Sequence, residues 1–169
     1  KMFRIGIIGA GWIAEKMAFA LSRTEDMQVY AIGSRSIEKA EEFARRWNIP
    51  KAYGSYEELV SDGNVDLVYI ATPHSHHYPH TKLALEHGKP VLVEKAFTAN
   101  AKEAEELIDL AHRKNIFLTE AIWTRYMPLS HKIGEIMASG IIGEPRIMTA
   151  TLCYMAEHKE RIIRPELCG

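Results

Sequence analysis

Five strand-length apolar runs, spaced by segments of helical period, leave this chain few ways to fold. They occupy residues 3–8, 27–33, 65–71, 90–93 and 116–119. Most are apolar without interruption, the pattern of strands covered on both faces. Between them apolar residues recur every three or four positions. Ile37, Ala40, Ala44 and Trp47 form one stripe, and Ala104, Leu107, Ile108 and Ala111 another. Ser36 and Asn100 stand where helix N-caps belong, "SYEELVSD" reads as one short helix, and Pro50 and Gly54 bracket a short connector. This alternation predicts an α/β fold, a doubly wound parallel sheet with helices on both faces.

The pattern changes after Thr119. A loop, a helix over 129–138 and a Gly/Pro turn lead into "RIMTATLCYMA" (146–156), whose alternation predicts a strand with one exposed face. One strand and a polar tail build no core. The expected organisation is a nucleotide-binding Rossmann domain over residues 1–120, then a linker and the truncated beginning of an α/β second domain over 121–169.

Charge narrows the partners. With 21 basic and 22 acidic residues and no long block of either sign, nothing points to nucleic acid or a membrane surface. No apolar run approaches the roughly 18 residues of a membrane span, and the start shows no signal-peptide pattern. Cys153 and Cys168 lack metal-type spacing, so a reducing, cytoplasmic setting is expected.

The first run ends in Gly9-Ala10-Gly11-Trp12-Ile13-Ala14, which matches G-x-G-x-x-G/A between a strand and a helix. Gly9 permits the tight turn, Gly11 lets a pyrophosphate approach the backbone, and Ala14 allows close helix–strand contact. Trp12 and Ile13 open the helix, whose N-terminus supplies N–H donors and positive dipole. A dinucleotide is the expected ligand. The second run ends in Gly33-Ser34-Arg35-Ser36, with no acid until Glu38. An acid there would bind the ribose 2′-hydroxyl of NAD. Ser34 and Arg35 can instead donate to a 2′-phosphate, which favours NADP over NAD.

"ATPHSHHYPH" places His74, His76, His77 and His80 together after the run at 65–71. Without carboxylate or Cys ligands at matching spacing, no metal is assigned, and the histidines read as polar groups of a loop and helix start near the cofactor. Glu94 and Lys95 follow the run at 90–93, where open parallel sheets hold ligands. A lysine there can donate a proton to a carbonyl oxygen as hydride arrives, or take one from a hydroxyl in reverse. Glu94 would orient Lys95 or touch the nicotinamide ribose.

Taken together, Gly9-Ala10-Gly11, Thr72-Pro73-x-x-x-His77, Glu94-Lys95 and Glu120-Ala121-x-Trp123-x-Arg125 resemble the glucose-fructose oxidoreductase, inositol dehydrogenase and MocA family. "IPKAYGSYEELV" and "EAIWTRYMP" are similar to stretches of a dimeric, dihydrodiol-oxidising subgroup. The resemblance implies an NADP-dependent dehydrogenase acting on a sugar, cyclitol or vicinal diol or dicarbonyl, and a homodimer formed by a second domain. It implies Lys95 as the catalytic lysine and Thr72, Pro73, His77, Glu94 and Arg125 at the cofactor. Trp123 and Arg125 would line the substrate pocket. Family members run to about twice this length. The family's usual Glu-Lys-Pro is Glu94-Lys95-Ala96 here, so different contacts are expected to hold Lys95. The alternative is a non-catalytic module that senses NADP(H).

Overall fold

A computed structural model describes residues 2–153, 155, 164 and 167. Six parallel strands form one sheet: β1 (Phe3–Ile8), β2 (Met27–Gly33), β3 (Lys51–Tyr53), β4 (Leu67–Ile70), β5 (Val91–Val93) and β6 (Leu118–Glu120). Their order across the sheet is β3-β2-β1-β4-β5-β6. The order reverses between β1 and β4, and that reversal opens a crevice at the carboxyl ends of the strands.

Helices cover both faces, and the strands' two-residue period decides which side chain meets which. Ile5 and Ile7 of β1, Tyr69 of β4 and Ile32 of β2 pack with α1 (Trp12–Leu21) and α2 (Ile37–Trp47). Ile8, Val68, Ile70, Val91 and Val93 pack on the other face. Their partners there lie on α3 (Tyr56–Ser61), α4 (His77–Glu86) and α5 (Ala101–Lys114). The buried face of α2 is Ala40, Phe43 and Ala44, whereas Ile37 is exposed. On α5, Leu107 and Ala111 are buried and Ile108 is not. Each expected stripe thus included one exposed residue, and that of α2 omitted the buried Phe43.

Local chemistry sets the helix ends. The side chains of Ser36, Ser55 and Asn100 accept the backbone N–H three residues on, capping α2, α3 and α5. Asn48 and Asn115, both at φ 53°, end α2 and α5 in the left-handed conformation that asparagine tolerates.

Two expectations fail. The "connector" at Pro50 contains β3, which pairs Ala31 with Lys51 and Gly33 with Tyr53. Three residues carry no readable period, so only pairing with β2 makes them a strand. Conversely, the alternating segment from Arg146 is not a strand in its described part. Residues 146–153 are irregular, and Ile147, Met148 and Leu152 are more than four-fifths exposed. A strand exists through its neighbour's hydrogen bonds, and no described strand of this chain lies beside it. The rest of that segment at Tyr154 and Ala156, with Cys168, lies outside the described residues. The last described helix, α6 (Pro128–Ala138), buries none of its residues.

Candidate functional site

A cleft of about 340 Å³ opens at the carboxyl ends of β1, β4 and β5. Gly11, Trp12 and Ile13 form one wall, Thr72, Pro73 and His77 a second, and Glu94, Lys95 and Trp123 a third. Nine of the expected residues are therefore gathered there, with Gly9 at the turn's base.

The glycine turn fits a dinucleotide phosphate. Gly9 adopts φ +99°, and a Cβ there would sit 3.0 Å from the Ala71 carbonyl oxygen and from Thr72 Cγ2. The turn can press against the β4 end only because that side chain is missing. Gly11 is the reverse case: a Cβ on it would meet nothing within 4 Å. Its missing side chain leaves open cleft beside the start of α1. Unlike α2, α3 and α5, helix α1 has no side-chain cap at its N-terminus. Its first turn thus lacks the acceptor that a Ser or Asn cap would provide, in the place where a pyrophosphate would supply one.

The loop after β4 is tied from below. His77 is fully buried, with Nδ1 2.6 Å from the Ala96 carbonyl oxygen and Nε2 3.0 Å from that of Thr72. Carbonyls only accept, so a neutral ring donates to one of them at a time. This histidine joins the β4 and β5 loops rather than presenting a nitrogen to a ligand. His80 Nδ1 lies 3.0 Å from Thr72 Oγ1, and its ring meets Tyr56 edge-on at 4.6 Å. Burial, then the neighbouring His76, His77 and Arg35, push the His80 pKa down to about 4. Among the described residues no three His, Cys, Asp or Glu side chains group as metal ligands.

Glu94 and Lys95 are adjacent but held differently. One Glu94 oxygen accepts the hydroxyl of Tyr69, and the other accepts the backbone N–H of Lys95 at 3.3 Å. The Lys95 side chain is exposed, with its peptide to Ala96 cis. The carboxylate therefore fixes the backbone of Lys95 and not its ammonium. The Ala96 carbonyl, held by His77, is a second fixed point of this loop. Tyr69 escaped the sequence reading, although a lone phenol in the aliphatic strand "LVYI" was a signal, since a buried hydroxyl needs a partner.

Other expected residues stand apart. Ser34 is buried at the end of β2, where its Oγ accepts the Ser36 N–H at 3.4 Å, and Arg35 beside it is exposed. Neither lines the cleft, but both share the strand-end rim with it. Trp123 reaches the cleft from a short 3-10 turn, Trp123–Tyr126, that follows β6. Arg125 in the same turn is exposed and not on the cleft wall.

Comparison with known proteins agrees with this architecture. Residues 3–121 match the GFO/IDH/MocA family, described as an oxidoreductase family with an NAD-binding Rossmann fold. The chain is 43% identical over 160 residues to trans-1,2-dihydrobenzene-1,2-diol dehydrogenase of Mus musculus, covering 94% of this chain and 48% of that protein. It is 44% identical over 186 residues to D-xylose 1-dehydrogenase (NADP(+)) of Hypocrea jecorina, covering 97% and 48%. The chain thus spans about half the length of the curated relatives it matches. Among solved structures, an NAD-binding oxidoreductase from Klebsiella pneumoniae superposes with a TM-score of 0.81 at 31% identity, over 86% of this chain and 41% of the other. A 3-ketoreductase from Actinomadura kijaniata, in complex with NADP and TDP-benzene, gives 0.79 at 30% identity, over 85% and 44%.

Proposed function

The chain belongs to the GFO/IDH/MocA family of oxidoreductases with an NAD-binding Rossmann fold, and from that premise we propose that it forms the cofactor half of an NADP-dependent dehydrogenase. The substrate would be a sugar, cyclitol or vicinal diol, or the matching carbonyl compound. Residues 1–120 would be the dinucleotide domain and 121–169 the start of a substrate and dimerisation domain. The carrying observation is that a single cleft joins the uncapped start of α1 to Lys95. Phosphate recognition and a proton donor thus lie within the span of one cofactor. The names of the mouse and Hypocrea relatives, a vicinal diol and an aldose, support the substrate class.

The chain's residues divide the work. The N–H groups at the start of α1 would hold the pyrophosphate, with Gly11 giving it room. Ser34 and Arg35 would take the 2′-phosphate, where a guanidinium makes charge-assisted bonds. Thr72 and Pro73 shape one wall of the cleft, and Trp123 would pack against the nicotinamide and substrate. When bound, the nicotinamide supplies or accepts the hydride. Lys95 would donate a proton to the oxygen of the carbonyl being reduced, and as a neutral amine would take it back in the oxidative direction.

Lys95→Met in the full-length natural protein tests this reading. With a vicinal diketone or a sugar lactone as oxidant of NADPH, kcat should fall by about 10²–10⁴, the share typical of general acid–base catalysis. NADPH affinity should hold. Turnover at the wild-type rate would refute the assignment. Cofactor binding by the wild type with no reduction of these carbonyl compounds by NADPH, and no oxidation of sugars or diols by NADP, would instead mark a sensor of the cofactor.

A further inference from the structure

Tyr69 sits where a phenol is hard to accommodate. Strand alternation turns it toward α1 and α2, among Ile5, Ile7, Ile32 and Ala18, and leaves it 1% exposed. A hydroxyl buried there must be hydrogen-bonded or it destabilises the fold. Its partner comes from the next strand. Tyr69 is in register with Leu92 of β5, and Glu94 lies two residues further, on the same face of the sheet. The Tyr69 hydroxyl donates to Glu94 Oε1, while Oε2 accepts the Lys95 N–H. Burial first, and then the Glu94 carboxylate, hold the phenol's pKa far above its usual value. The phenol is therefore a permanent donor across the working pH range. Glu94 itself lines the cleft.

We infer that Tyr69 is a positioning residue, which holds the Glu94 carboxylate as a preorganised acceptor for the vicinal hydroxyls of the nicotinamide ribose. The inference rests on the reading of the cleft as a dinucleotide site with Glu94 at its nicotinamide end. Each carboxylate oxygen has more than one lone-pair direction, so bonds to Tyr69 and to the Lys95 N–H leave acceptor capacity for a ribose. A glutamate on a strand end would otherwise sample several rotamers, and binding would have to freeze it. Here the freezing is done by a buried side chain that does not line the cleft. The same carboxylate anchors the first peptide of the Lys95 loop, so one buried hydroxyl orders the ribose acceptor and the backbone origin of the proton donor.

The test compares two ligands in the full-length natural protein. NADPH has the nicotinamide ribose, and 2′,5′-ADP lacks it. Tyr69→Phe keeps the ring that fills the core and removes only the hydroxyl. NADPH should bind about tenfold more weakly, the scale of one hydrogen bond to a charged group, and 2′,5′-ADP should bind as before. In a Glu94→Ala background, which should itself weaken NADPH, Tyr69→Phe should add no further loss. Equal weakening of both ligands would make Tyr69 a general stabiliser and overturn the inference. NADPH weakened by Glu94→Ala but unaffected by Tyr69→Phe would overturn it while sparing the role of Glu94. No effect of Glu94→Ala on NADPH would overturn the placement of Glu94 at the ribose, and the inference with it.

Discussion

The two ends of the cleft are built on different principles. At the end near β1 and β2, the chain supplies backbone and one exposed cation: Gly9, Gly11, the bare start of α1, and Arg35. Gly11, the start of α1 and Arg35 each belong to one loop, and Gly9 reaches outside its own only by backbone packing on the β4 end. At the end near β5, side chains are tied across strands and loops, Tyr69 to Glu94 and His77 to Ala96. The first end recognises a shape that all dinucleotides share, plus a phosphate. On the proposed reading the second would have to place a proton donor to within a fraction of an ångström, and that takes buried partners. Substitutions at the first end should therefore act on single binding steps, and those at the second on coupled ones.

Arg35 offers the largest binding effect with which to break this contrast. If the first end is modular, Arg35→Ala should weaken NADPH by about 1.5–3 kcal/mol, the range for hydrogen bonds to charged groups. NADH, which has no 2′-phosphate, should bind equally well to both proteins. Titration by nicotinamide fluorescence would show it. Equal losses for the two cofactors would mean that Arg35 braces the fold, not the phosphate.

Gly9→Ala should cost less and discriminate differently. The residue is at φ +99°, and its new methyl would press on the Ala71 carbonyl and Thr72 at 3.0 Å. A left-handed backbone with a side chain costs about 1–2 kcal/mol. Thermal or denaturant unfolding should show that loss, and NADPH and NADH should weaken together because both need the same turn. A loss confined to NADPH would contradict the division of labour between turn and arginine.

The same contrast explains what could be read from the sequence. β1, the glycine turn and the caps at Ser36 and Asn100 are local patterns, each complete within a few residues. The sheet followed from the alternation of such patterns. β3 was missed because three residues become a strand only by lying beside β2, and the stretch from Arg146 was misread for the same reason in reverse. At the candidate site, Gly9, Gly11, Glu94 and Lys95 were singled out by position after a strand, and Gly11, Glu94 and Lys95 line the cleft. The bond from Tyr69 to Glu94 spans 25 residues. Its existence depends on strand register, which no window of sequence displays. Likewise His77 could be singled out as a loop histidine, but its burial between two carbonyls could not.

The smallest effect concerns His80, which stands at the seam of the two ends. Its ring touches Tyr56 and Thr72, with Arg35, His76 and His77 as the nearby cations or potential cations and Glu57 as the opposing charge. Burial and these neighbours lower its pKa from 6.5 to about 4. Between those values the unfolded chain binds a proton that the native ring refuses, so unfolding takes up protons and acid favours it. This contribution to stability is complete above about pH 6.5 and is lost as pH falls toward 4. Because the ring is only partly buried, solvent reduces the size of the effect below the full linkage value. His80→Gln keeps a partner for Thr72 and does not titrate. Its midpoint of unfolding should therefore fall less than the wild type's between pH 7 and pH 4.5, and the two slopes should coincide above pH 7. Parallel curves across the whole range would show that His80 titrates as an ordinary histidine, open to water and untouched by the cations around it.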